Sequence, residues 1–445
     1  MDRRRFLQAA GLAGLSVMAP IGARSVRADS RRYKGPFWVM VNAGGGWDPT
    51  MLCDPKGGAA KDPTSVNQTY TPSQIGQAGN ISYAPTSYSD NDVVVQTAQA
   101  FFEAHHDRLL VLNGVDTTTN NHDSGSRTVW SGQLAEGYPS FAALVAAHAT
   151  AATPVPLAFL SNGGYDVTSG VISLTRVGST DSIQKLAYTN IRDPNDAKSD
   201  TYHTPATASR IAAAQSGRIQ SMAGKQTLPT LATSMNELYL ARNSDDGLAR
   251  LGEALKNTTP VTTSQFPDLD GTNLGDLQSL MRQAQLALVA FSAGVAVSAN
   301  MDFGGFDTHS NHDQNQGRQM MVLMRGIDYL FKQIDAMGLT DQVYVMVGSD
   351  FGRTPYYNSG NGKDHWNITS VMLSGPKIPK DKVIGTTDKG FIPITVDPKT
   401  LKPSSTGVRI GTNNLHLSLR KLAGISGTPL EQQFPIPGDT LPLFG

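Results

Sequence analysis

Between Asn300 and Arg353 the chain reads N-M-D-F-G-G-F-D-T-H-S-N-H-D, then a run of helical periodicity, then V-M-V-G-S-D-F-G-R. Asp307 with His309, and Asp350 with Arg353, each follow an apolar run at a Gly-rich turn, where a strand of an α/β sheet delivers side chains to one edge. Asp48 stands behind Gly44-Gly45-Gly46-Trp47, and Asp364-His365 stands behind the Gly-rich Tyr357–Gly362 segment. Carboxylate oxygens and imidazole nitrogens converging from several strand ends are donors for Zn²⁺ or Mn²⁺. An ion held this way activates water or a hydroxyl and stabilises anionic oxygens.

Each of these residues also has a plainer reading. Asp48 fits a turn that caps the next helix, and Asp307-Thr308-His309-Ser310 fits a capping loop. Asp350 with Arg353 fits a simple ion pair. His365 sits where a solvated loop group would also sit, and His312 and Asp313 fit either the same loop or the start of the helix that follows. The recurrence of one setting, an apolar run ending at glycine, argues for a shared edge more strongly than any single residue does.

Those residues require strands and crossover helices to carry them. Phe37–Val41, Leu109–Asn113, Leu157–Leu160, Val295–Ser298, Val343–Val347 and Ile368–Leu373 read as short buried strands. Helices are expected around Val94–Ala104, from Phe141 with Ser140 as N-cap, over Leu277–Phe291 and over Asn413–Ala423. Met320, Leu323, Ile327, Leu330, Ile334 and Met337 recur every three or four residues, a helix laying one face on a sheet. Strand followed by helix, repeated, implies right-handed crossovers and a mainly parallel sheet. Asn120–Arg127 reads as a loop. Residues 54–92, rich in Gly, Ser, Pro and Tyr, read as a polar surface insertion. Residues 180–257 read as a helical insertion, with starts at Thr204-Pro205 and Leu228-Pro229, that shapes access to the site.

The 445 residues suffice for one large α/β domain with insertions. Lys+Arg 37 balances Asp+Glu 37, so no basic field invites nucleic acid. Cys53 is the only cysteine, which excludes an internal disulfide, and it reads as an ordinary packed residue. Arg3-Arg4-Arg5-Phe6-Leu7, the weakly apolar Ala9–Ile21 and the small residues up to Ala28 resemble a twin-arginine signal peptide over 1–28. The remainder, 29–445, is then a periplasmic or secreted domain delivered by the twin-arginine machinery. No later stretch reaches the roughly 18 apolar residues of a membrane span.

Gly304-Gly305-Phe306-Asp307-Thr308-His309, then Ser349-Asp350-Phe351-Gly352-Arg353-Thr354-Pro355, then Gly362-Lys363-Asp364-His365-Trp366 resemble the family known as domain of unknown function 1501. The Ala43–Asp48 segment and the His122 region correspond as well. That family is similar in turn to the alkaline phosphatase and sulfatase superfamily. The resemblance implies a three-layer α/β sandwich with a mainly parallel central sheet. It implies metal ligation by Asp48, Asp307, His309, Asp350 and His365, with one or two ions of Zn or Mn. It also implies a hydroxyl nucleophile at a helix start, for which Ser124, Ser126 and Thr128 are the local candidates. His122 would be a general acid or a further ligand, and Arg127 or Arg353 would hold an anionic group with forked donors. Phe351 stands where the superfamily places a histidine after the second aspartate.

The reading is an exported metal-dependent hydrolase of phosphate or sulfate esters, with a small anionic ester as substrate. Its rival is a non-catalytic secreted protein that keeps the scaffold and serves a partner protein as a binding or assembly factor.

Overall fold

The computed structural model describes residues 32–445 apart from 60, 61, 63, 177–183, 186, 195, 197 and 244–246. The segment 1–28, expected to be a twin-arginine signal peptide, lies outside the described residues.

The chain opens with β1 (Phe37–Ala43), followed by the hairpins β2 (Gly76–Ala78) with β3 (Ile81–Tyr83) and β4 (Ser87–Asp90) with β5 (Val93–Thr97). Helix α1 (Ala98–His105), β6 (Leu110–Asp116), α2 (His122–Ser131) and α3 (Phe141–Ala152) come next. Then follow β7 (Phe159–Ser161), β8 (Leu174–Arg176) and the helices α4 (Pro205–Ala223), α5 (Pro229–Asn243) and α6 (Gly247–Lys256). Helix α7 (Gly275–Ser292) leads to β9 (Ser298–Phe303), α8 (His312–Ala336) and β10 (Val343–Ser349). The chain closes with the short pair β11 (Gly352–Arg353) and β12 (His365–Trp366), then β13 (Ile368–Ser374), β14 (Lys382–Ile384), α9 (Thr412–Leu422) and α10 (Pro429–Gln433).

Eight strands form the central sheet in the order β14-β6-β13-β10-β1-β9-β7-β8. All neighbours are parallel except those of β13, which runs against both β10 and β6. The expected parallel crossovers therefore hold on one side of β10. Beyond it the short β11–β12 pair turns the chain back, so β13 is reached without a crossover helix.

Side chains along β1 alternate between two cores, as a strand of period two covered on both faces must do. Phe37, Val39, Val41 and Ala43 pack with α1, α7 and α8, while Trp38 and Met40 pack with α2, α3 and α9. In β10, Val343, Val345 and Val347 divide from Tyr344 and Met346 in the same way. The expected three-layer α/β sandwich is the architecture observed.

Several expected boundaries shift for local reasons. Val94–Ala104 splits into β5 and α1, with the Thr97 side chain accepting from Ala100 N as the N-cap. The strand expected at Val295–Ser298 runs instead over Ser298–Phe303, pairing with β1 as far as Phe303. Ser140 caps α3 as expected, accepting from Ala143 N. The 54–92 segment is more than a surface insertion: Tyr70, Ile81 and Tyr83 are buried, and Asn67 is wholly buried. In the 180–257 region Thr204 caps α4 by accepting from Thr207 N, and no residue of α4 is buried. Cys53 is buried and free, and burial pushes its thiol up to about 12.

Candidate functional site

The C-terminal ends of β1 and β10 lie side by side, Ala43 opposite Ser349. The turn after β1 is fastened to the end of β10, because Gly46 N and Trp47 N donate to Ser349 Oγ at 3.0 and 2.9 Å and Gly45 N donates to Asp350 Oδ2 at 3.1 Å. Gly46 has φ +85, and a Cβ there would lie 2.5 Å from the Phe351 ring, so glycine is required on two counts.

Asp350 is buried and faces α2. Its Oδ2 also accepts from His122 Nδ1 at 2.9 Å, and its Oδ1 accepts from Ser126 Oγ at 3.1 Å. What the sequence suggested as a loop at Asn120–Arg127 is the first half of a helix. Asn121 is its N-cap, accepting from the amides of Asp123 and Ser124, and His122 is its first residue.

Four side chains meet in front of this junction. Asp307 Oδ1 lies 3.0 Å from His309 Nε2 and 3.1 Å from His365 Nε2, and Asp307 Oδ2 lies 3.5 Å from His122 Nε2. Ligand atoms of His122, Asp307 and His365 all fall within 4.8 Å of one another. The distal nitrogens are each held by an acceptor. Nδ1 of His122 meets the Asp350 carboxylate, Nδ1 of His309 meets Asp364 Oδ1 at 2.8 Å, and Nδ1 of His365 meets the Asn120 carbonyl at 2.8 Å. Acceptors at Nδ1 place the ring proton there, so each neutral imidazole turns its Nε2 lone pair toward Asp307. Metal-ligating histidines are oriented by outer carboxylates and carbonyls in this manner. Three imidazole nitrogens and a carboxylate fit Zn²⁺ or Mn²⁺.

The electrostatics agree with that arrangement. Burial pushes the Asp307 carboxyl up, but the hydrogen bond and the charge of Arg353 outweigh it and hold it down to about 2. The hydrogen bond to Asp350 raises His122 against the opposing effect of burial, while burial lowers His365. Phe351 fills the space behind the imidazoles, its ring centre 4.9 Å from His122 and 4.4 Å from His365.

The structure thus brings together Asp307, His309 and His365 of the expected ligands and adds His122. Asp350 stands one step behind, orienting His122. Asp48 does not join them. It is wholly buried in a second cluster, where Oδ1 accepts from Thr50 N at 2.9 Å and Oδ2 meets His312 Nε2 at 2.9 Å and Lys363 Nζ at 2.6 Å. Burial alone would raise its carboxyl, but the Lys363 charge and the His312 hydrogen bond hold it far below the ordinary carboxylate range. Burial keeps His312 lowered, and its Nδ1 is paired with Thr308 Oγ1 at 2.8 Å.

Arg353 is not free to hold an anion. Its guanidinium is wholly buried and donates to the carbonyls of Gly45, Gly46, Phe306 and Lys363 and to Asp307 Oδ1 at 2.8 Å. Ser124 Oγ is engaged with Thr119 Oγ1 at 2.7 Å and with Asn121. Ser126 is bound to Asp350, and Thr128 is buried against Thr412 Oγ1 at 2.6 Å. Arg127 reaches the Leu134 carbonyl at 2.7 Å and Glu136. Two supporting residues that the sequence did not single out for these roles are Asp364 and Asn120. The Asp364-His365 pairing was visible, but its role across the loop to His309 was not.

Among the described residues no helix is long and apolar enough to cross a membrane. No curated protein matches the chain in sequence. Among solved structures the chain is similar to the PsFucS1 sulfatase from Pseudoalteromonas sp., with 11% identity and a TM-score of 0.37 over 92% of this chain and 72% of that one. It is also similar to the phosphonate monoester hydrolase of Agrobacterium radiobacter, at 11% identity and a TM-score of 0.33 over 87% and 74%. A mutant of TAB5 alkaline phosphatase gives 10% identity and a TM-score of 0.30 over 79% and 95%. Likenesses this remote carry no argument about chemistry. The family model described as protein of unknown function DUF1501 matches residues 38–400, spanning both halves of the sheet and every residue of the cluster, and the chain belongs to that family.

Proposed function

We propose that the chain is an exported metal-dependent hydrolase of phosphate or sulfate esters, built on a single ion held by His122, Asp307, His309 and His365. The observation that carries this reading is the three-fold arrangement of imidazoles, each with Nδ1 spent on an acceptor and Nε2 aimed at Asp307. A bound Zn²⁺ or Mn²⁺ would lower the pKa of a coordinated water and offset the charge of an ester's non-bridging oxygens. The chain's own residues do the positioning. Asp350 and Asp364 fix ring orientation, Arg353 braces Asp307 from behind, and Phe351 keeps the rear of the imidazoles dry. Because the candidate hydroxyls are committed elsewhere, water rather than a serine is the nucleophile in this scheme. The Arg3-Arg4-Arg5 leader supports export in folded form.

The same committed hydroxyls, together with the inward-turned Arg353, favour a second reading: a non-catalytic secreted protein that uses the cluster to bind a partner. Elemental analysis of the mature protein purified without chelators, beside an Asp307→Ala/His309→Ala double variant, is the test. Stoichiometric Zn or Mn that vanishes in the variant, followed by turnover of aryl phosphates or sulfates, supports the hydrolase. Folded, metal-free wild-type protein overturns it. Metal without turnover supports the second reading.

A further inference from the structure

In the buried cluster around Asp48, the side chains of Lys363, Asp48, Thr50 and Asn67 close a ring of polar contacts. Lys363 Nζ lies 2.6 Å from Asp48 Oδ2, and Thr50 Oγ1 donates to Asp48 Oδ1 at 2.6 Å. Asn67 Nδ2 donates to Thr50 Oγ1 at 2.7 Å, and Asn67 Oδ1 accepts from Lys363 Nζ at 3.2 Å. Asp48, Asn67 and Lys363 are fully buried, so an amine, a carboxamide and a carboxylate are held together without competing solvent. The amide is fixed in place, since Asn67 Nδ2 also donates to the carbonyls of Thr50 and Lys56. Residues 67 and 363 lie 296 positions apart, on the polar insertion and on the loop that carries His365.

We propose that Lys363 and Asn67 are joined by an intramolecular isopeptide bond that forms after folding. Lys363 Nζ gives up a proton through Asp48 Oδ2, which only relays it, as the freed lone pair attacks Cγ of Asn67. The Nζ–Cγ bond forms and the Cγ–Nδ2 bond breaks, its electron pair leaving with Nδ2. Asp48 and the Thr50 hydroxyl relay protons to that nitrogen. Two protons leave Nζ in all, the amide nitrogen departs with them as ammonium, and Asp48 ends as it began. No oxidant or other reactant is needed. The bond would tie the 54–92 insertion covalently to the His365 loop.

The test is mass spectrometry of the full mature protein, intact and after trypsin, independent of any ion. Expected is an intact mass lighter than the sequence by one ammonia, with a branched peptide joining the Asn67 segment to the Lys363 segment and no cleavage after Lys363. Recovery of both segments as linear peptides at the full mass overturns the proposal. So does an ammonia loss with Lys363 still cleaved, which marks a cyclic imide at Asn67 instead. An Asp48→Asn variant is expected to stay unlinked. If it folds and links at the wild-type extent, the role of Asp48 falls. If it does not fold, the wild-type branched peptide alone decides.

Discussion

His309 Nε2 and His365 Nε2 lie 3.0 Å apart, although the Nδ1 of each ring already has its own acceptor. Two neutral imidazoles so arranged face each other lone pair to lone pair, which is unfavourable until a cation comes between them and Asp307. An ion that binds only the folded chain should therefore raise its stability. At a free ion concentration a hundredfold above Kd the gain is about 2.7 kcal/mol. Thermal melts with and without added Zn²⁺ or Mn²⁺ should show the increase in wild type and none in His365→Ala.

Asp350→Asn should weaken metal binding without removing a ligand. The carboxylate fixes the His122 ring by accepting from Nδ1, and an amide in its place can present a donor there. Loss of such an outer partner typically costs about 10–100-fold in metal affinity. Competition with a chromophoric chelator measures it, and an unchanged affinity would place His122 outside the coordination sphere.

Gly125→Ala sets two effects against each other. Alanine favours a helix interior by about 1 kcal/mol over glycine. Here, though, the new Cβ would lie 2.5 Å from the Asp350 carbonyl and 2.9 Å from the Phe351 ring, and the backbone contact cannot yield cheaply. Overpacking of this kind costs about 1–3 kcal/mol, so the clash wins and α2 moves away from β10. The expected result is a lowered melting temperature together with weaker ion binding, since His122 rides on the same helix. A Gly125→Ala protein that melts at or above the wild-type temperature would refute this packing.

His416 makes stability depend on acidity for a reason separate from the cluster. It is wholly buried, its Nε2 donating to the Val129 carbonyl at 2.8 Å, and burial lowers it to about 3. The unfolded chain takes up a proton below pH about 6.5 while the native imidazole stays neutral. Its contribution is complete above that pH and is lost progressively as pH falls from about 6.5 toward 3. Up to about 3 kcal/mol should disappear between pH 7 and 4. His416→Gln, which keeps a donor for Val129, should flatten that slope in urea titrations run across the range.

The strand cores and the long α8 helix were legible because period-two and period-3.6 apolar patterns survive in local sequence. Asp307, His309 and Asp350 were legible as neighbours because each follows a strand that ends at the same edge, and His365 because it stands beside Asp364 behind a Gly-rich loop. The division of labour among them was not. Asp350 and Asp48 have equivalent settings in sequence, and only the approach of Lys363 and His312 to one, and of His122 to the other, separates a buried anchor from an orienting group. Arg353 looked like an anion clamp because its type and position suit one. Its commitment to four backbone carbonyls depends on how the turn after β1 folds under β11. The direction of β13 was hidden for a similar reason, since an apolar run shows burial and not polarity.

The two residues that hold His122 and the ligand group together, Asp350 and Asp307, sit 228 positions beyond it and 46 positions before Arg353. Contacts of that range close large loops, as the pairing of β1 with β10 also does. A fragment that ends before β12 therefore lacks His365, one of the four donors. If the four donors hold an ion as proposed, a chain still short of His365 would hold it less tightly than the complete one.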